Sequence, residues 1–159
     1  MSLHSLFDSV ANWNLFVLIR DSKYGMPALL SLHLVALTVL LATVLVLNLR
    51  LAGIGMRDLS PSWLARRLRP WKLGAILLVI LSGFIVFTGR PQEYLGSRPF
   101  QLKMALLLVA ILAELAIVGR RAASESALQP GLVNRLVAGL SLILWFGVGW
   151  AGRAIAFVP

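Results

Sequence analysis

The ionisable side chains that lie within long apolar segments are the residues of this sequence best suited to chemistry. They are His33, Lys103, Glu114 and Arg153, and such residues cost from about 2.5 kcal/mol upward at the centre of a bilayer. An imidazole can ligate a metal or haem iron, whereas lysine and arginine bind carboxylates and phosphates. A buried glutamate can pair with a cation or carry a proton. The sequence has no Cys, which excludes disulfides, thiolate metal sites, iron–sulfur clusters and attached c-type haem.

The composition places these residues in a membrane. Of the 159 residues, 59% are hydrophobic and 13% are charged, whereas soluble domains are about 45–50% apolar and about 25% charged. The net charge of +9 would suggest nucleic acid as the partner of a soluble protein. Here most basic residues flank apolar segments, where membrane topology and anionic lipid explain them, so we expect no nucleic-acid partner.

Four apolar segments are long enough to cross a bilayer, which needs about 20 helical residues. We predict spans at 27–50, 71–89, 100–119 and 134–156. Prolines in the connections are expected to end the helices; they are Pro61, Pro70, Pro91, Pro99 and Pro130. The expected fold is therefore all-α: an integral membrane four-helix bundle that forms a single domain over residues 1–159.

An amphipathic segment precedes the first span. Over residues 3–20 the apolar side chains recur at three- and four-residue steps, with polar residues between them. This pattern is typical of a helix that lies in the membrane interface. The segment lacks a basic beginning and a small-x-small cleavage site, so it is not read as a signal peptide.

The distribution of basic residues predicts the orientation, because Lys and Arg accumulate on the cytoplasmic side. Nine flank the first and third connections and six lie on the opposite side. The nine are Arg50, Arg57, Arg66, Arg67, Arg69, Lys72, Arg120, Arg121 and Arg135, and the six are Arg20, Lys23, Arg90, Arg98, Lys103 and Arg153. We expect a multi-pass protein of a bacterial cytoplasmic (inner) membrane with both termini on the periplasmic, outer side.

Helical rise brings three candidate residues to a similar depth on the predicted outer side. At about 1.5 Å per residue, His33 lies about 9 Å below the start of the first span and Lys103 about 5 Å below the start of the third. Arg153 returns to the same leaflet near the end of the fourth span. With Arg90 from the second connection, these residues predict a basic pocket for an anionic group. The alternatives are snorkelling of Lys103 and Arg153 to the headgroups and a packing role for His33.

Two helix faces are predicted to point into the bundle. Arg153 shares a stripe with Phe146 and Gly149, and small residues favour helix packing. Lys103 and Glu114 are 11 residues apart, which at about 100° per residue places them within about 20° of each other. One interior face of the third span should therefore carry both charges.

Glu114 lies too far from the outer end to meet His33. We expect it to be protonated or paired with Arg50 or Lys72 in a structural role, with a proton or ion path as the alternative. Asn48 and Arg50, at the end of the first span, are predicted as further structural polar residues within the membrane.

Five short stretches together carry a family resemblance. They are MPALLSLH at 26–33, NLRLAG at 48–53, RPW at 69–71, FQLKM at 100–104 and GRAIA at 152–156. The set resembles an uncharacterised family of small bacterial four-span membrane proteins, a domain of unknown function that is distantly similar to CopD-type copper-resistance membrane domains. In that pattern His33, Arg50, Lys103 and Arg153 match the recurring polar positions, and relatives often carry Asp where this chain has Asn48. The resemblance implies an architecture and a choice of residues, but no reaction.

Several functions fit these features. The first is a non-catalytic accessory or anchor subunit that binds lipid, a cofactor or a partner group through His33, Arg90, Lys103 and Arg153. Its expected partners are the lipid bilayer and other membrane subunits, or a second copy through self-association.

The second function is an electron carrier, linked to b-type haem or quinone, with His33 as axial ligand. The chain has no second intramembrane His, so Met104, an open position or a symmetry mate would complete a haem site. The third is a metal site, copper included, at His33 with Met ligands, for which four Met make a poor set. A transporter that uses Glu114 is the last.

Overall fold

The computed structural model describes Leu18 and residues 22–56, 58–89, 91–124 and 131–155. Every regular element in these ranges is helical, so the expected all-α fold is confirmed. The helices are α1 Gly25–Leu51, α2 Pro61–Thr88, α3 Pro91–Gly96, α4 Arg98–Ala123 and α5 Leu132–Ala154. All except the short α3 are long and apolar enough to cross a membrane, which makes the protein a multi-pass membrane protein. Apart from Leu18, the predicted interfacial helix at 3–20 lies outside the described residues.

The second span begins at Pro61 instead of residue 71, so the prediction that Pro70 ends a helix is wrong. The Ser60 hydroxyl accepts a hydrogen bond of 3.2 Å from the Trp63 N–H, and Pro61 occupies the first turn, where a missing N–H is harmless. Pro70 lies on the exposed side of α2, as does Arg66 four residues earlier. The carbonyl that Pro70 leaves without an N–H partner is therefore not enclosed in the core.

The third span contains a π-helical turn at Glu114–Val118. Its buried residues follow one another in four-residue steps at Ala110, Glu114, Val118 and Ala122. In a regular α-helix each such step would rotate the side chain by about 40° away from the bundle. The wider π turn absorbs part of this rotation and keeps the later residues on the interior face.

The four spans form two antiparallel hairpins, α1 with α2 and α4 with α5, which pack together through α1 and α5. We call the end where α1 begins the N-proximal end and the other the distal end. In the described chain, α2 packs against α4 mainly at Gly119–Ala123, near the distal end. The two helices therefore diverge toward the N-proximal end.

The predicted interior stripe of the fourth span faces outward. Phe146 is 78% exposed, Arg153 is exposed, and nothing lies within 4 Å of the position of a side chain at Gly149. The buried face is instead formed by Asn134, Ala138, Ser141, Trp145, Val148 and Ala151. The small residues on that face allow close helix contact and leave space for the indole ring.

The third span is predicted to carry Lys103 and Glu114 on one interior face. This prediction is confirmed, because Glu114 is buried and Lys103 lines an interior cavity.

Candidate functional site

A cavity of about 490 Å³ lies between α1, α2, α4 and α5 at the N-proximal end; we call it the N-proximal cleft. Its walls are apolar or aromatic apart from His33, Lys103 and the hydroxyl of Tyr94. The lining residues are His33, Leu37, Val79, Ile80, Gly83, Phe84, Val86, Phe87, Tyr94, Leu95, Phe100, Lys103, Met104, Leu107, Val148, Gly152 and Ile155. A volume of this size and a few polar groups in an apolar wall are typical of small-molecule sites.

The cleft opens sideways, between α2 and α4. Ile80 and Phe84 of α2 are 49% and 42% exposed, and Met104 of α4 is 45% exposed, although all three also line the cleft. This opening follows from the divergence of the two helices. In a bilayer it faces lipid, so the cleft is accessible to molecules dissolved in the membrane.

Three aromatic rings close the cleft toward the end of the bundle. Phe87 from α2 and Phe100 from α4 are stacked, with centroids 5.7 Å apart. Tyr94, carried by α3, lies 6.2 Å from Phe87 and 5.3 Å from Phe100. We call these rings the aromatic cap, and because they cover the end of the cleft they favour entry from its side.

His33 is held against α2 by a hydroxyl and a glycine. Its Nδ1 lies 2.8 Å from the Ser82 Oγ. A Cβ at Gly83 would lie 3.3 Å from the His33 Cε1, closer than most Cβ contacts in proteins. The Ser82-Gly83 pair therefore positions the imidazole and leaves it the space that it needs.

Lys103 packs against Gly152 of α5, the other helix of its hairpin. A Cβ at Gly152 would lie 3.5 Å from the Lys103 Cε and Nζ. Within the described residues no carboxylate lies at ion-pair distance from this ammonium. The cleft therefore carries a cationic group whose counter-charge does not come from that part of the chain.

The structure brings together two of the four residues predicted for an outer basic pocket. His33 and Lys103 line the same cleft, whereas Arg153 is exposed and does not line it. Arg90 lies outside the described residues. The correction for Arg153 follows from the rotation of α5, whose buried face is the Trp145 face.

Sequence reasoning missed the residues that shape the cleft. Ser82 and Gly83 form a pair of small residues within an apolar segment, which is a signal for close helix packing but not for a particular partner. Tyr94 meets Phe87 and Phe100 only because α3 folds back over the end of the bundle.

Metal ligation at His33 stays a prediction. No group of three or more His, Asp or Glu side chains comes together in the described part of the chain. Met104 lines the same cleft as His33 and is the protein side chain there that offers a second soft ligand.

A second polar site lies deeper in the bundle, around Glu114; we call it the buried charge cluster. The Glu114 Oε1 accepts a hydrogen bond of 2.8 Å from the Lys72 Nζ. Its Oε2 accepts one from the Asn48 Nδ2 at 3.3 Å and one from the Ser141 Oγ at 3.1 Å. The pairing predicted with Arg50 or Lys72 is confirmed for Lys72, and each of the four spans contributes one side chain.

Arg50 has a different role in the same region. Its Nε donates a hydrogen bond of 2.6 Å to the carbonyl of Leu59, which ties the end of α1 to the segment before α2. Arg50 is buried, so the predicted structural role of this residue agrees with its position.

Apolar clusters lie on both sides of the buried charge cluster. One surrounds Leu40 and Trp145 toward the N-proximal end, and the other surrounds Leu47 and Val118 toward the distal end. The Glu114 side chain is 0% exposed. A fully paired carboxylate enclosed in this way is suited to joining helices, because exchange of a proton or ion would first require the packing to open.

Comparison with known proteins identifies a family but no annotated relative. The chain matches the family of unknown function DUF6644 over residues 15–158. No curated protein and no solved structure matches it. The match covers nearly the whole chain and includes both polar sites, so this four-span protein belongs to the DUF6644 family.

Proposed function

We propose that this protein is a small, non-catalytic membrane subunit whose N-proximal cleft receives the polar head of a membrane-borne molecule, either an anionic lipid or a lipid-soluble cofactor. The observation that carries the proposal is the position of Lys103, a cation in the wall of an apolar cleft that opens toward lipid. The rest of the molecule would lie along the apolar wall and leave through the opening between α2 and α4.

The energetic argument concerns the counter-charge of Lys103. An ammonium group next to an apolar cavity is costly unless a negative group or several acceptor oxygens lie close to it. In the buried charge cluster Glu114 supplies this partner to Lys72. At Lys103 a ligand oxygen would supply it, and charge-assisted hydrogen bonds are the stronger class.

The remaining residues of the cleft also favour binding. Its polar side chains are one imidazole, one ammonium and one phenol, and the other walls are apolar or aromatic. Such a set selects and orients an amphiphile. In this proposal the protein acts as an accessory or anchor subunit. Its expected partners are other membrane subunits or a second copy of this chain.

Native mass spectrometry of the protein released from nanodiscs tests this proposal. We expect the wild type to retain a molecule that Lys103→Met loses. Lys23→Met is the matched control, because Lys23 is exposed and its Nζ lies 5.4 Å from the centre of the Tyr24 ring, outside the cleft. Identical bound molecules in all three proteins would contradict the proposal.

A b-type haem is the second candidate, favoured by the presence of His33 and Met104 in one cleft. His33 would be the axial ligand, Met104 the second ligand, and Lys103 the partner of a propionate. Copper or another metal held by the same two side chains is the third candidate. An absorption spectrum of the purified protein tests the haem candidate. A Soret band that His33→Ala abolishes would support haem at His33 and contradict the first proposal.

The orientation proposed from the basic residues places the N-proximal cleft in the outer leaflet of a bacterial inner membrane, with both termini outside. Reporter fusions at Ser60 and at Pro159 should then report opposite compartments. The same compartment for both fusions would contradict this topology.

A further inference from the structure

The hydrogen bonds around Ser82 determine which nitrogen of His33 carries a proton. The Ser82 hydroxyl has one hydrogen, which it donates to the carbonyl of Leu78 at 2.5 Å. The carbonyl of Val79 is a distant alternative at 3.4 Å. Since the hydroxyl hydrogen is engaged with the backbone, the Ser82 oxygen must accept the hydrogen bond from His33. Nδ1, at 2.8 Å, therefore carries the hydrogen.

In a neutral imidazole with a proton on Nδ1, Nε2 presents a lone pair. His33 lines the cleft, and its Nε2 makes no hydrogen bond to another described residue. A second cation beside Lys103 would be repelled across a low-dielectric cavity, which favours the neutral ring. The cleft thus presents an acceptor at His33 and a donor at Lys103.

We propose that the molecule held in this cleft is a membrane quinol, whose ring hydroxyl donates to the His33 Nε2 while the same oxygen accepts from the Lys103 Nζ. The inference rests on the proposed function, because it specifies the occupant of the same cleft. The aromatic ring fits against Phe84 and the aromatic cap, and an apolar tail leaves through the opening to lipid. Ser82 is then a positioning residue that acts through His33.

The donor and acceptor pattern separates a quinol from the other candidates. An ionised carboxylate or a phosphodiester satisfies Lys103 but has no hydrogen to donate to the Nε2 lone pair. A quinone has acceptor oxygens and also lacks this hydrogen. The quinone should therefore bind more weakly than the quinol, by about three- to tenfold, the equivalent of one hydrogen bond.

The protonation pattern can be measured directly. The chain has two histidines, His4 and His33, so a His4→Gln background gives one imidazole in a ¹⁵N NMR spectrum. We expect the neutral tautomer with the proton on Nδ1, lost in Ser82→Ala and restored in Ser82→Thr. A proton on Nε2, or a cationic ring in the free protein at neutral pH, would overturn the inference.

Binding in nanodiscs provides the second test, with a decyl-substituted benzoquinol kept reduced, its quinone and decanoate as probes. We expect the quinol to bind more tightly than its quinone, and Ser82→Ala to weaken quinol binding by about three- to tenfold while changing decanoate binding little. Ser31→Ala is the matched control, because the Ser31 hydroxyl donates to the Pro27 carbonyl of its own helix and is exposed.

The outcomes distinguish the two proposals. If decanoate or an anionic lipid binds through Lys103 while quinol binding does not depend on Ser82, the quinol inference fails and the proposed function stands. Equal affinity for quinol and quinone also overturns the inference. If no probe depends on Lys103 and the wild type retains no molecule of its own, both proposals fail.

Discussion

The two lysines of the membrane interior, Lys72 and Lys103, lie in opposite kinds of surroundings. Lys72 meets the Glu114 carboxylate at 2.8 Å within a site enclosed by apolar side chains. Lys103 lies in the wall of a cavity that opens between α2 and α4. The counter-charge of Lys72 belongs to another helix of the same bundle, whereas Lys103 has no carboxylate at ion-pair distance among the described residues. The difference separates a structural site from the proposed binding site in the same bundle.

Removal of the acid from the buried charge cluster should have the largest effect. Glu114→Leu leaves the Lys72 ammonium buried without its counter-charge, and we expect a loss of about 3–5 kcal/mol of stability. Glu114→Gln keeps an acceptor for the amine and should lose less. Thermal unfolding in detergent, followed by circular dichroism, measures both.

A double variant sharpens this prediction. Replacement of both charges in Lys72→Met/Glu114→Leu should recover most of the lost stability, because an apolar pair can replace a buried ion pair. Lys103→Met serves as the comparison and should leave the unfolding temperature nearly unchanged. Equal destabilisation by Lys103→Met and Glu114→Leu would contradict the distinction between the two sites.

The next effect concerns the space beside His33. In Gly83→Ala the new methyl group would lie 3.3 Å from the imidazole, which has to move. We expect affinity for the retained molecule to fall by about tenfold, near 1.4 kcal/mol. Gly74→Ala on the same helix, where nothing lies within 4 Å, is the control and should leave affinity unchanged.

The aromatic cap should affect the rate of exchange. Phe100→Ala removes the stacking with Phe87 and the contact with Tyr94, a loss of about 1 kcal/mol in ring interactions. Ligand dissociation from nanodiscs should accelerate about fivefold in a stopped-flow measurement. An unchanged dissociation rate would show that the cap does not limit exit.

The smallest effect is expected at Arg153. The residue is exposed and does not line the cleft, so Arg153→Gln should change binding by less than about 0.5 kcal/mol. Isothermal titration against the same probe, beside Lys103→Met, makes the comparison direct. A loss as large as that of Lys103→Met would return Arg153 to the binding site.

Several features of this protein follow from its sequence alone. The long apolar segments predict four spans, because an uninterrupted apolar helix of this length is stable in the hydrocarbon core of a bilayer. The 11-residue spacing of Lys103 and Glu114 predicts one shared interior face, and the cost of a lone charge in lipid predicts that Glu114 is either protonated or paired with a nearby base. These are local regularities, set by helical geometry and by the cost of a charge in lipid.

The tertiary structure decided which faces meet. Small residues occur on more than one side of the fourth span, so sequence periodicity alone did not show that α5 buries the Trp145 face and exposes Phe146 and Arg153. The cleft exists because α2 and α4 diverge at one end, where Gly83 makes room for the imidazole of the facing helix. Periodicity assigns residues to a face within a helix, but the rotation and crossing of helices depend on side-chain packing between segments far apart in the chain.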